Sequence, residues 1–266
     1  MTNSFHVERL FQDESTNNYL GKRHGITANS FNNFTYTLVE SMIRHYRSHT
    51  SDRVIRIFEV GPGWGGLSRI IQKNYTNIIY SCVESDPVMN SVCSLFVDKA
   101  FEIDASLMFQ HDQIVSCIQS ADILILSDVL EHIYDPWLVL FNLFGDMKSG
   151  ASLVLSVPTI TNLASLSYML ETGFAYKNSG IYDFTHLRFF SPDDVIDMVN
   201  SSTSRKLDLK IIPNICPDSC QMLQKSIADS TFCFKGEAKG LSFNIKQDSK
   251  IYQTLATRGI VLCATT

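Results

Sequence analysis

Four side chains have the types and spacing of a reaction centre: Asp128, Glu131, His132 and, roughly fifty positions later, His186. If Asp128-Val129-Leu130-Glu131-His132 enters a helical turn, the carboxylates at i and i+3 and the imidazole at i+4 share one face. Imidazole titrates near neutral pH, so His132 or His186 can act as general base toward a hydroxyl within hydrogen-bond reach. The four residues also make a carboxylate and imidazole set for a divalent cation such as magnesium, manganese, iron or zinc. A bound cation lowers the pKa of a hydroxyl and orients it. A plainer reading stands beside this one, with Glu131-His132 as a structural turn and His186 orienting Asp183 or an aromatic ring.

A second signal is Glu59-Val60-Gly61-Pro62-Gly63-Trp64-Gly65-Gly66, which follows the apolar run from Val54 and precedes Leu67, Ile70 and Ile71 at helical spacing. Strand, glycine turn and helix in that order form a ligand-binding context. Gly61, Gly63 and Gly66 fit the dinucleotide spacing, while Glu59, Gly61, Gly63 and Gly65 fit the acid-led spacing of an S-adenosyl-L-methionine site. Chemistry separates the two. A dinucleotide needs its pyrophosphate at the helix N-terminus, whereas the sulfonium cofactor brings cationic groups there and gains from the Glu59 carboxylate. Glu84, ending the next apolar run, can accept from both ribose hydroxyls in either class. Trp64 and Ser85 fall in the same two turns and join the cofactor-binding set.

The elements that must position these residues alternate in type. Strands are expected over 54–60, 78–84, 122–127, 152–157, 207–212 and 259–264, and helices after the glycine turn, after Pro87, after Pro136 and over 192–199. For the third strand, 101–104 and 107–110 are both open. Asp122 to Ser127 is apolar on both faces, as a central parallel strand requires. Such alternation predicts an α/β fold with a doubly wound, mostly parallel sheet. An amphipathic helix over about 31–46 carries Phe34, Leu38, Met42 and Ile43 near one face. Residues 1–50 and about 213–250 are expected to act as lid segments around one catalytic domain over 51–266. Tyr168, Tyr176 and Tyr182 are expected to wall the acceptor pocket and Arg188 to clamp the acceptor; Lys22-Arg23 reads as a solvated pair.

Composition narrows the partners. The 266 residues carry 45% hydrophobic and 18% charged side chains, which excludes disorder and a small disulfide scaffold. A net charge of −5 supplies no general positive field, so it favours a small-molecule acceptor over nucleic acid and leaves room for a homodimer. Seven scattered cysteines suit a reducing compartment. The spacing Cys216-x₃-Cys220 with Cys233 makes a poor zinc site, as no histidine follows His186. The N-terminus does not read as a signal peptide, and no apolar run approaches the roughly 20 residues of a membrane span, so a cytoplasmic location is expected.

Taken together, EVGPGWGG, the acid in CVESDP and SDVLEHIYDP resemble the class I S-adenosylmethionine-dependent methyltransferases over about residues 50–212 and the last strand. SDVLEHIYDP and GIYDFTHLRFFSPDDV are similar to blocks of the ubiquinone O-methyltransferases and of methyltransferases from sugar and natural-product clusters. The resemblance implies a Rossmann-like seven-stranded sheet with an antiparallel last strand. It further implies that Glu59, Gly61, Gly63 and Gly65 hold the methionine end, Glu84 the ribose, and Ser127 and Asp128 the floor near the sulfonium. An acid beside the adenine is also implied, for which Asp104 and Asp112 compete. The Asp128, Glu131-His132, His186 arrangement is similar to the metal-holding motif of the small-RNA terminal 2′-O-methyltransferases, with Asp128 replacing a glutamate. The expected activity is O-methylation of a small polar acceptor. An N-methyltransferase, an RNA 2′-O-methyltransferase and a non-catalytic cofactor-binding partner are the alternatives.

Overall fold

In the computed structural model, residues 33–48, 52–215, 227–228, 231–235, 242–246 and 250–265 are described. The chain runs α1 (Asn33–Arg47), β1 (Ile55–Val60), α2 (Gly66–Asn74), β2 (Ile78–Glu84), α3 (Pro87–Cys93) and β3 (Lys99–Glu102). A 3-10 helix over Ala105–Gln110 leads to α4 (Asp112–Ser120), β4 (Ile123–Ser127) and a 3-10 turn at Leu130–His132. Then come α5 (Pro136–Asp146), β5 (Ser152–Pro158), α6 (Leu163–Thr172), α7 (Pro192–Ser201) and β6 (Asp208–Ile215). Three short strands, β7 (Ile227–Ala228), β8 (Thr231–Lys235) and β9 (Ser242–Lys246), precede α8 (Lys250–Ala256) and β10 (Thr257–Thr265).

The main sheet has seven strands in the order β3-β2-β1-β4-β5-β10-β6. Neighbours from β3 to β5 pair in parallel, and β10 is antiparallel to both β5 and β6. Strand order reverses between β1 and β4, which opens a crevice beyond their carboxyl ends, where ligands of such sheets bind. Period-two alternation feeds two apolar layers. Ile55, Ile57, Ile123 and Ile125 face a cluster with Leu38, Val39 and Ile43 of α1 and Leu67 and Ile71 of α2. Phe58, Val60, Leu124 and Leu126 face another with Ile114 and Ile118 of α4, Leu140 and Phe144 of α5 and Val195 of α7. Burial on both faces accounts for the continuous apolar run of β4, while β1 is broken only by the exposed Arg56 and by Glu59.

Local chemistry sets the helix starts. Asp86, Asp135 and Ser191 accept from backbone amides at the starts of α3, α5 and α7, each of which has proline in its first turn. On the opposite edge of β4, the buried Asp122 carboxylate accepts from Arg53 at 2.7 Å, Lys148 at 2.8 Å and the Arg56 amide at 2.8 Å.

Several expectations are corrected. The third strand is Lys99–Glu102, while 107–110 lies in the following 3-10 helix. Helix α1 packs its Leu38, Val39 and Ile43 face on the sheet as part of the core, and residues 1–32 with Lys22 and Arg23 lie outside the described residues. Residues 213–215 belong to β6, and the described part of the expected 213–250 insertion forms the antiparallel sheet β7-β8-β9. Cys216 and Cys220 fall outside the described residues. Among the described residues no helix is long and apolar enough to cross a membrane.

Candidate active site

The turn after β1 is held open by its backbone. Gly61 donates to the Val83 carbonyl at 2.9 Å and Gly65 to the Pro62 carbonyl at 3.0 Å. Gly61 has φ +66°, and a Cβ there would lie 2.7 Å from Val129 Cγ2, so a side chain is excluded by conformation and by space. Gly65, at φ +71°, caps α2 and lies against Cys93 and Ser68.

Beneath this turn, Glu59 is 3% exposed and accepts from the Tyr80 hydroxyl at 2.7 Å. Burial pushes its carboxyl up to about 7, the Tyr80 hydrogen bond opposes that rise, and the charge of Glu84 adds to it. Glu84 itself accepts from the Gly63 amide at 2.9 Å and the Asp86 amide at 3.0 Å. Burial raises its pKa against those two bonds. The acid expected at the ribose therefore also fastens the glycine turn to β2.

A cavity of about 930 Å³ runs from the glycine turn across the carboxyl ends of β4 and β5 to the start of β10. Glu59, Gly61, Gly63 and Trp64 line one end; Ser127, Asp128, Glu131 and His132 line the middle; Tyr168, Tyr182, His186, Asn214 and Arg258 line the remainder. Its volume sits at the upper end of ligand sites, typically about 300–1,000 Å³. Of the remaining cofactor candidates, Gly65, Glu84, Ser85 and Asp104 do not line it. Asp104 caps the 3-10 helix through the Ser106 amide, while Asp112 lines a separate cavity of about 620 Å³ beside β3.

At β4 a chain of hydroxyls orders the floor. Thr35 of α1 contacts Ser127 (3.2 Å), Ser127 contacts Ser156 (2.9 Å), and Ser156 donates to the Asp128 carboxylate (2.8 Å). Asp128 has φ +55° and Val129 is irregular, so helical geometry begins only at Leu130. The expected sharing of one helical face by Asp128, Glu131 and His132 is therefore corrected: the carboxylate of Asp128 turns to Ser156. Thr35, on α1, and Ser156, near the end of β5, complete this floor, and no sequence motif marks either of them.

Glu131, His132 and His186 do converge, with one ligand atom from each within 4.8 Å of the others. The convergence is built by backbone. The Glu131 carbonyl accepts from the Leu187 amide at 2.8 Å and the Arg188 amide at 3.0 Å, docking the THLRFF segment onto the turn. His132 Nδ1 lies 3.1 Å from Thr185 Oγ1 and 3.3 Å from the Thr185 carbonyl, and His186 Nδ1 lies 3.0 Å from the Ile181 carbonyl. Since a carbonyl only accepts, each Nδ1 carries the proton and each Nε2 presents a lone pair. Glu131 is 1% exposed, and its Oε2 has no hydrogen-bond partner among the described residues. Burial and the nearby Asp128 raise the Glu131 pKa well above the ordinary range, and burial followed by His132 lowers that of His186. A buried carboxyl oxygen and two imidazoles thus meet, a set whose ligand chemistry fits a cation.

Other expected contacts fall elsewhere. Arg188 does not line the cavity; it donates to the Tyr134 carbonyl and stacks over Tyr134 and Trp137. Tyr176 is also outside the lining and packs edge-on against Phe174. Tyr168 and Tyr182 do line it, their rings 4.8 Å apart, with the Tyr182 hydroxyl committed to the Ser165 carbonyl.

No protein-family model matches the sequence. Among solved structures, a SAM-dependent methyltransferase from Archaeoglobus fulgidus is similar at TM-score 0.51 and 15% identity, over 87% of this chain and 94% of its own. The plantazolicin methyltransferase BamL, solved with a triazolic desmethylPZN analogue and SAH, gives TM-score 0.56 at 9% identity over 97% and 93%. The CurJ carbon methyltransferase gives 0.53 at 15% over 96% and 58%. With its 3-2-1-4-5-10-6 sheet and antiparallel β10, the chain has the class I fold of the S-adenosylmethionine-dependent methyltransferases.

Proposed function

We propose that the chain transfers the methyl group of S-adenosyl-L-methionine to a hydroxyl of a small polar acceptor of the sugar or natural-product kind. The observation that carries this reading is one cavity joining the glycine turn and Glu59 to the Glu131, His132 and His186 cluster. The narrower likeness to ubiquinone and sugar-cluster enzymes rests on the sequence motifs alone.

Bound cofactor supplies an electrophilic methyl on a cationic sulfur. Glu59, once ionised, faces the cofactor ammonium, Glu84 its ribose, and the Ser127-Asp128 floor the sulfonium. The protein's main task is alignment and exclusion of water, because the transfer is an in-line displacement. As the acceptor oxygen bonds to the methyl carbon, the carbon–sulfur bond breaks, the sulfur leaves as a neutral thioether, and the hydroxyl proton must depart.

The two Nε2 lone pairs and Glu131 Oε2 are the groups available for the accepting hydroxyl. They fit a divalent cation, and with two imidazoles in the set zinc or iron suits them better than magnesium. Such a cation supplies Lewis acidity and a template for the hydroxyl. A second reading uses the same atoms without metal: Thr185 fixes the His132 tautomer, leaving Nε2 as the base, for which a contribution of about 10²–10⁴-fold is usual.

The test supplies methyl-labelled cofactor to metabolite pools with and without chelator and reads label by mass spectrometry. Labelled ether products are expected, lost with chelator and restored by a divalent cation. Full turnover in chelator rejects the metal, unchanged turnover in both His132→Ala and His186→Ala rejects the base, and binding of NAD in place of S-adenosylmethionine rejects the whole reading.

A further inference from the structure

Two cationic side chains, Lys177 and Arg258, line the same cavity, and neither has an ion pair among the described residues. Arg258 lies at the start of β10, next to Gly259, which pairs with Pro158 of β5 and Asn214 of β6. This is the rim beyond the carboxyl ends of those strands. Its carbonyl accepts from the Thr159 amide at 2.8 Å, which fixes the backbone from which the guanidinium projects. Lys177 comes from the loop after α6. Its amide donates to the Tyr182 carbonyl and its carbonyl accepts from Phe184, so this loop too is held. The Lys177 ammonium lies 3.6 Å from the centre of the Tyr168 ring. An aromatic face is a weaker partner for an ammonium than an anion is.

The carboxylates of the same cavity are engaged elsewhere. Glu59 accepts from Tyr80, Asp128 from Ser156, and Asp183 from the Thr185 amide and hydroxyl, while Glu131 belongs to the imidazole cluster. With those carboxylates committed, Lys177 and Arg258 are the lining groups that attract an anionic ligand and orient it as it enters. We propose that the acceptor carries an anionic group, a carboxylate or a phosphate, that Lys177 and Arg258 attract and hold while its hydroxyl is presented to Glu131, His132 and His186. This deepens the methyl-transfer reading and rests on it.

The experiment uses the full chain saturated with S-adenosylhomocysteine and titrates two matched pairs by calorimetry: 3-hydroxybenzoate with 3-hydroxybenzyl alcohol, and glucose 6-phosphate with glucose. At least one anionic member is expected to bind more than tenfold tighter than its neutral twin, and the pair that does so tells carboxylate from phosphate. Lys177→Gln and Arg258→Gln should each weaken that binding about tenfold without changing affinity for S-adenosylhomocysteine, and Arg258→Lys should restore part of the loss. Equal binding within both pairs, no binding of either anion, or variants that bind the anion as well as the parent overturns the proposal. Failure of S-adenosylhomocysteine itself to bind is a different result, and it overturns the methyl-transfer reading beneath.

Discussion

Protonation of Glu59 should govern cofactor affinity on the acid side of neutrality. Its carboxyl is buried beneath the glycine turn and pushed up to about 7. A group with that pKa is about one-tenth ionised at pH 6 and about three-quarters ionised at pH 7.5, so a ligand that requires the carboxylate binds about eightfold more weakly at pH 6. Stability has the opposite sign. The folded pKa exceeds the ordinary 4.5, so Glu59 favours folding at acid pH, and about 3 kcal/mol of that contribution is lost as pH rises through 7. A cationic ligand opposes the loss, and the thermal shift produced by S-adenosylmethionine should therefore grow from pH 6 to 7.5. Above roughly pH 7.7–8.0 the ligand's α-amino group deprotonates and affinity falls again. Calorimetric titration from pH 5.5 to 8.5 reads both limbs. Glu59→Gln should lose the acid limb and keep the alkaline one. Equal affinity at pH 6 and 7.5 in the parent, or an undiminished acid limb in the variant, refutes the assignment of Glu59 to the cofactor ammonium.

Two further substitutions probe the scaffold. Gly61→Ala adds about 1–2 kcal/mol of left-handed strain to a Cβ contact of 2.7 Å with Val129, so cofactor affinity should fall more than tenfold. Adding Val129→Ala should recover the steric part only, and a single variant that binds like the parent would show the turn to be looser than its geometry. Asp122→Ala leaves the Arg56 amide without its side-chain acceptor and removes the carboxylate paired with the part-exposed Lys148 and Arg53, and should cost about 2 kcal/mol in urea unfolding. Although burial alone would raise the Asp122 pKa, the Arg56 amide, Lys148 and Arg53 hold it below the usual range. Its contribution is therefore present above the ordinary aspartate pKa and lost as pH falls through the depressed value; a loss under about 1 kcal/mol on substitution would contradict this.

What the sequence made legible was what local patterning controls. β4 is apolar on both faces, β1 is a β-branched and aromatic run ending at the glycine cluster, and α3, α5 and α7 carry proline in their first turns with a polar cap before it, so their positions can be read from the sequence. β3 is four residues long, with no fully buried side chain, and gives little signal against the neighbouring 107–110 run. α6 was passed over, since Leu163–Thr172 mixes small, polar and apolar residues without a clean stripe. In the site, Glu59 and the glycines follow from one contiguous motif. The left-handed Asp128 does not, because its conformation depends on the clamp from Ser156 on a different strand. Arg188 was misread for a related reason: its partner, the Tyr134 carbonyl, comes from a turn far away in sequence.

This division has a structural consequence for how the site can vary. Glu59 and Glu84 sit at the ends of paired strands, and Ser127 is joined by hydroxyl contacts to β5 and α1, so the glycine-turn half of the site is fixed by the parallel sheet. The other half hangs on a few bonds between loops. Leu187 and Arg188 dock on the Glu131 carbonyl, Lys177 brackets Tyr182 and Phe184, and Thr159 pairs with Phe190 and with Arg258. Changes in the loop between α6 and α7 can therefore alter the acceptor end without disturbing Glu59 or the glycine turn. Within that loop, His186 is constrained most, because its ring is fixed by the Ile181 carbonyl and packed edge-on at 4.7 Å against His132. Lys177, exposed and lying only on an aromatic face, is constrained least. The imidazole cluster is thus the firmer feature of this half, and the stretch of loop that carries Lys177 the more easily changed.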